Sequence, residues 1–206
     1  MNSELEKGTI LPLMESFYTI QGEGFYTGSS AYFLRIGGCD VGCHWCDVKE
    51  SWDESLHSPI SVEEMLAPIS DFPTKTVVVT GGEPLMWNMR FLTSKLKEKG
   101  LNRHLETSGS HKLSGEWDWI CLSPKKFQKP LETIKPIADE LKIIVKNKSD
   151  FKWAEKQRLE VSKNCKLYLQ PEWSNKEDMI PLIIDYVMEN PAWKISLQTH
   201  KYLQIP

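Results

Sequence analysis

No stretch of this 206-residue chain comes near the roughly 18 consecutive apolar residues of a membrane-spanning helix, so no membrane partner is expected. The opening MNSELEKGTI is acidic and has no apolar core, and no export signal is expected from it. A basic excess is also missing. The 25 Lys and Arg stand against 28 Asp and Glu, and a net charge of −3 disfavours nucleic-acid binding. There are no internal repeats, low-complexity tracts or linker-like stretches. Cysteine is scarce: the chain holds 5, an odd number, three of them too close together for a secreted disulfide framework. A reducing cytoplasm is the expected location. Present instead are length and 40% hydrophobic content, enough to bury a core, and one domain over residues 1–206 is expected.

Short apolar or alternating runs recur: AYFLRI (31–36), TVVVT (76–80), RHLET (103–107), WDWICL (117–122), LKIIV (141–145), KLYLQ (166–170) and WKISLQ (193–198). Their length and their β-branched or aromatic content predict strands. Helical patterns lie between some of them. SVEEMLAPI opens on a Ser followed by acids, as a helix start should. WNMRFLTSKLKEKG puts Met89, Leu92 and Leu96 on one face and stops at Gly100. SDFKWAEKQRLEVS and NKEDMIPLIIDYVMEN follow the same logic, with Pro181 expected early in its helix. Alternating strands and helices predict parallel βαβ units. Six or seven strands and about four helices are too few for a complete barrel of about 250 residues. The predicted fold is therefore α/β: a shortened, partly open (β/α) barrel of about six parallel strands. Function is then expected at the C-terminal strand ends.

In IGGCDVGCHWCDVKESW, Cys39, Cys43 and Cys46 follow the first of these strands as CxxxCxxC. Thiolates ligate structural zinc and iron–sulfur clusters, but a zinc site closes with four ligands and this loop offers three. His44 lies between two thiols, poorly placed to be the fourth, and Cys121 and Cys165 sit in strand contexts that suit small buried hydrophobes. A [4Fe–4S] cubane on three cysteines keeps one iron open for a small molecule. The next motif, GGEP (Gly81–Pro84), follows TVVVT. A Gly-Gly turn lets backbone approach a ligand closely, because no Cβ intervenes. Taken alone, it also suits an ordinary strand-to-helix turn.

Together, CxxxCxxC with Trp45 before its last thiol and a strand-borne GGEP resemble the radical S-adenosylmethionine (SAM) superfamily. SFYTIQGEGFYTG (16–28), AYFLRIGGC and WCD…W narrow the likeness to the 7-carboxy-7-deazaguanine synthases, with ETSG, SPK, QPEW and QTH following in order. That resemblance implies a shortened barrel, a homodimer and an external electron donor such as flavodoxin or ferredoxin. It also implies a radical ring contraction of 6-carboxy-5,6,7,8-tetrahydropterin, with loss of ammonia, in the 7-deazapurine and queuosine pathway. The chemistry belongs to the cofactors, and no side chain need act as nucleophile.

Carried over by position, the resemblance gives Cys39, Cys43 and Cys46 to the cluster. For SAM it implies Trp45, Gly81, Gly82, Glu83, Glu106, Ser108, Ser123, Lys125 and Gln170, and for the pterin Ile20, Gln21, Gly22, Arg35, Thr80, His200 and Pro206. Arg35 suits a carboxylate through its planar fork, with a surface ion pair as the plain alternative. His200 and Pro206 imply a tail folded back on the site, where a frayed end is the usual fate. At the Mg²⁺ position after CD, where Thr or Ser is common in the family, this chain has Val48. Mg²⁺ needs oxygen ligands, so Asp47, a backbone carbonyl or water would have to compensate, or the ion is absent. Two alternatives share some of these motifs: a glycyl-radical-enzyme activase acting on a protein chain, and a non-enzymatic zinc module.

Overall fold

The computed structural model describes residues 3–206. Among them, the strands join one nine-stranded sheet in the order β3-β1-β2-β4-β5-β6-β7-β8-β9. The parallel part follows chain order: β2 (Ser30–Ile36), β4 (Thr76–Gly81), β5 (Asn102–Thr107), β6 (Trp119–Leu122), β7 (Glu140–Val145), β8 (Lys166–Pro171) and β9 (Trp193–Ile195). The sheet ends on β3 and β9 and does not close, as a partial barrel requires.

Two strands lie outside the sequence reading. β1 (Ile10–Ile20) pairs antiparallel with β2, setting Phe17 opposite Phe33, and also with β3 (Pro59–Ser61). Its register shifts between Leu13 and Glu15, which breaks the period-2 pattern that would have marked it. WDWICL becomes a strand only from Trp119, because Asp118 is held by the Arg103 backbone N–H at 2.9 Å and its guanidinium at 2.7 Å. WKISLQ is a strand only to Ile195, and Ser196 turns instead to Gln170 at 2.7 Å.

The helices are α1 (Ser3–Lys7), α2 (Val62–Leu66), α3 (Arg90–Glu98), α4 (Ser149–Arg158), α5 (Lys176–Glu189) and α6 (Thr199–Leu203). Ser61 and Glu64 form a reciprocal capping box at α2, which then tightens into a 3₁₀ turn over Ala67–Asp71 with Pro68 near its start. α3 ends before Gly100, whose φ of 68° is the left-handed geometry of a helix stop. Pro181 lies inside α5, where its missing N–H removes one helical bond. None of these helices is long and apolar enough to cross a membrane.

Strand alternation sorts the residues into two environments. Tyr32, Leu34, Ile36, Val77 and Val79 pack outward against Met65, Leu66, Met89, Leu92 and Leu96. Leu105, Leu122, Leu141, Ile143, Val145 and Leu169 do the same against Ala154, Ile183 and Trp193. Each such aliphatic side chain contributes roughly 1.5–3 kcal/mol of burial. On the inner face only Ala31, Phe33 and Val78, backed by Phe17, form an apolar cluster. Elsewhere that face carries polar groups, among them His104, Glu106, Glu140, Lys142 and Gln170, with Cys121 and Ile144 between them.

Candidate functional site

At the end of β2 the chain is fastened back on itself by main-chain bonds. Gly38 N–H donates to the Ser51 carbonyl at 2.7 Å, and Cys39 N–H to Trp52 at 3.0 Å. Cys46 N–H closes the loop on Cys43 at 2.8 Å. His111 binds Asp40 at 2.9 Å and ties the loop to the segment after β5. At the end of β4, Gly82 N–H reaches Ile36 and Glu83 N–H reaches Gly38, both at 2.9 Å. A Cβ on Gly82 would stand 2.2 Å from the Gly38 oxygen and 2.8 Å from Cys39 Cβ. Glycine is therefore required by the close approach of these two loops.

Glu83 is 1% exposed, and its carboxylate accepts from the Thr107 hydroxyl at 2.6 Å, the Ser108 N–H at 2.8 Å, the Ser108 hydroxyl at 2.5 Å and the Leu85 N–H at 3.1 Å. It thereby locks the GGEP turn to the end of β5. Lys125 donates to the Ser123 carbonyl at 2.7 Å and hydroxyl at 2.8 Å, and burial pulls its pKa down. Trp45 packs edge-on against Phe127, with Lys146 over its ring.

A cavity of about 500 Å³ opens at these strand ends and is lined by all the residues that the resemblance singled out, from Ile20 and Gln21 to His200 and Pro206. Within this lining Gln21 donates to Glu106 at 3.0 Å, and Thr80 to the other oxygen of Glu106 at 3.2 Å. Glu106 thus stands with Gln21 and Thr80. Arg35 lines the same cavity and pairs through Nε with Glu15 at 2.6 Å.

Beneath this wall lies a buried charge network that the sequence reading missed. Lys142 pairs with Glu23, and Glu140 accepts from Phe25 N–H at 3.1 Å and from the Trp119 indole at 3.3 Å. Burial works against both charged members of the Lys142–Glu23 pair, but their mutual attraction outweighs it. Lys142 is held well above the usual lysine range and Glu23 below the usual carboxylate range. Glu140 is pushed up, chiefly by burial. The available signal was a charge at an inward position of LKIIV, an otherwise apolar strand.

The C-terminal tail is moored, not frayed. Thr199 donates to the Gly22 carbonyl from both its N–H and its hydroxyl, each at 2.9 Å. His200 lies so close over Gly22 that a Cβ there would be 2.2 Å from its Nδ1. Burial pushes His200 down, which favours the neutral ring at pH 7. Gln204, at φ 56°, turns the chain back, Ile205 N–H bonds to His200 at 3.2 Å, and Thr19 donates to the Pro206 oxygen at 3.4 Å. Lys201 and Gln198, neither of them singled out from sequence, donate to Asp47 Oδ2 at 2.6 and 2.8 Å.

The donor set fits an iron–sulfur cluster. All three thiols line the cavity, and burial pushes Cys39 and Cys43 upward, so a thiolate at either needs a cationic partner such as iron. Trp52, whose carbonyl accepts from Cys39 N–H, also lines the cavity, and its Nε1 is buried with no partner among the described residues. Cys121 and Cys165 are buried with raised thiol pKa values, Cys165 to about 12, and behave as inert core. For Mg²⁺ the fit fails: Val48 has no side-chain oxygen, and Asp47 Oδ2 is already shared by two donors.

Comparison with known proteins shows the family. The family profile of the radical SAM superfamily matches residues 34–129. A 7-carboxy-7-deazaguanine synthase from Flavobacterium psychrophilum is 59% identical over 202 residues, 98% of this chain and 96% of that protein. One of the same name from Synechocystis is 45% identical over 94% of this chain and 93% of its own. The crystal structure of QueE from Escherichia coli superimposes with a TM-score of 0.83 at 30% identity, covering 95% of this chain and 97% of that one.

Proposed function

This chain belongs to the 7-carboxy-7-deazaguanine synthase family of radical SAM enzymes, and from that premise we propose that its cavity converts 6-carboxy-5,6,7,8-tetrahydropterin to 7-carboxy-7-deazaguanine. It is an enzyme of the lyase type, acting in queuosine biosynthesis. The observation that carries the reading is the joining, in one cavity of about 500 Å³, of a three-thiol loop and a wall of amide, hydroxyl, carboxylate and guanidinium groups. When bound, the [4Fe–4S] cluster and SAM supply the electron-driven, hydrogen-abstracting radical.

The chain's own residues bind and orient. Cys39, Cys43 and Cys46 hold the cluster, and the Gly81–Gly82 backbone, Trp45, Ser108, Ser123, Lys125 and Gln170 frame SAM beside it. Glu83 does so at one remove, by fixing the Gly-Gly turn. Ile20, Gln21, Gly22, Thr80 and Glu106 receive the pterin, whose edge of donors and acceptors suits an amide and a carboxylate already oriented by neighbours. Arg35, aligned by Glu15, meets the substrate carboxylate through its remaining guanidinium donors. His200 and Pro206 cover the bound heterocycle and exclude water, which keeps the radical step from side reactions.

The same reading takes residues 1–206 as one domain, acting in the cytoplasm with an external donor such as flavodoxin or ferredoxin. It includes a homodimer, for which exposed Ile184 and Met188, one turn apart on α5, offer an apolar strip. A cavity covered by the chain's own tail favours a small molecule over the protein substrate of a glycyl-radical-enzyme activase. The test is anaerobic reconstitution followed by incubation with SAM, dithionite and the carboxytetrahydropterin. Formation of the deazaguanine is expected; deoxyadenosine with no deazaguanine would overturn the assignment.

A further inference from the structure

Two departures coincide at one place. Val48 brings no oxygen where a hard cation would need one, and a fixed cation of the chain's own stands next to it. Lys201 Nζ lies 2.6 Å from Asp47 Oδ2, supported at 2.8 Å by Gln198, and stands 4.5 Å from the centre of the Trp173 ring. The attachment of Thr199 to Gly22 sets α6, and with it Lys201, against the pterin side of the cavity. The Lys201 side chain is 22% exposed, buried enough to be held and open enough to meet a ligand.

We propose that the Lys201 ammonium, pinned by Asp47, takes in this chain the place of a divalent ion and pairs with the anionic end of the substrate. Substrate binding then requires no Mg²⁺. An ammonium is a compact charge with three donors, so one can serve Asp47 while the others face the ligand. The inference rests on the function proposed above and deepens it by naming a second cation, beside Arg35, that meets the substrate's charge.

The test uses the reconstituted, SAM-loaded holoenzyme with its cluster unreduced, so that substrate binds without turning over. Binding measured calorimetrically in EDTA and in excess Mg²⁺ is expected to agree within about twofold, a difference too small to reflect an ion-mediated contact. Electron paramagnetic resonance with Mn²⁺ as probe is expected to show no bound ion when substrate is present. Lys201→Met is expected to weaken substrate binding by about tenfold or more with SAM affinity unchanged, and Lys201→Arg to recover part of the loss. Substrate binding that tightens about tenfold with Mg²⁺, stoichiometric Mn²⁺, or a Lys201→Met protein that binds substrate like the wild type would each overturn this inference alone. A wild-type protein that binds no substrate in either buffer would overturn the proposed function, and this inference with it.

Discussion

The two walls of the cavity are built by different means. The thiol side is made largely of backbone: a cysteine loop and a Gly-Gly turn laid on each other, with Gly82 leaving no room for a Cβ beside Gly38 and Cys39. The rest of the lining is made of charged and polar side chains that hold one another: Glu106 with Gln21 and Thr80, Lys142 with Glu23, and Asp47 with Lys201. A wall of backbone fixes shape and tolerates no added atom. A wall of paired charges fixes orientation, and fails when one partner of a pair is removed.

The comparison predicts its own breaking points. Cys43→Ala should abolish the cluster, leaving a colourless protein in iron analysis after anaerobic reconstitution; a full iron complement would remove Cys43 from the ligands. Gly82→Ala should retain iron yet lose SAM cleavage by about 100-fold or more, read as deoxyadenosine formed, because the clash displaces the loop by the order of an ångström. On the other wall, Lys142→Met should lower stability by about 3–5 kcal/mol in denaturant unfolding, since it strands the Glu23 carboxylate in the interior. A loss within experimental error would show that the pair is not buried in solution.

The pH dependence follows from the same pair. Burial raises the Glu23 pKa, but Lys142 outweighs it and holds the pKa below the usual value of 4.5. A depressed carboxylate adds stability at pH above 4.5 that is lost as pH falls below it. Glu23→Gln should flatten the acid limb of the stability profile; an unchanged limb would sink the claim. The smallest effect belongs outside both walls. Ser61→Ala removes the capping box of α2 and should cost about 0.5–2 kcal/mol with turnover unaltered.

Legibility in the sequence divided along similar lines. TVVVT and LKIIV announced themselves because parallel strands under helices are apolar on their outward face, and Val77, Val79, Leu141 and Ile143 are fully buried there. β1 escaped because a register shift at Leu13–Glu15 destroys alternation. α6 has five residues, fewer than two turns, too few to show a helical period. The thiols and GGEP were readable because their spacing is local. Lys142 and Glu23 lie 119 positions apart, and Lys201 and Asp47 lie 154 apart. No local pattern marks such pairs.

Taken by itself, the sequence determined the parallel α/β character, the three-thiol loop at a strand end and the glycine turn that faces it. Each depends on residues near one another in the chain, where spacing and backbone freedom act directly. Tertiary structure decided that the tail returns over Gly22, that Glu106 joins Gln21 and Thr80, and that a lysine from the last helix meets the acid beside Cys46. These depend on closing long loops around a curved sheet, and only the packed fold determines which distant charges come to lie within a hydrogen bond of each other.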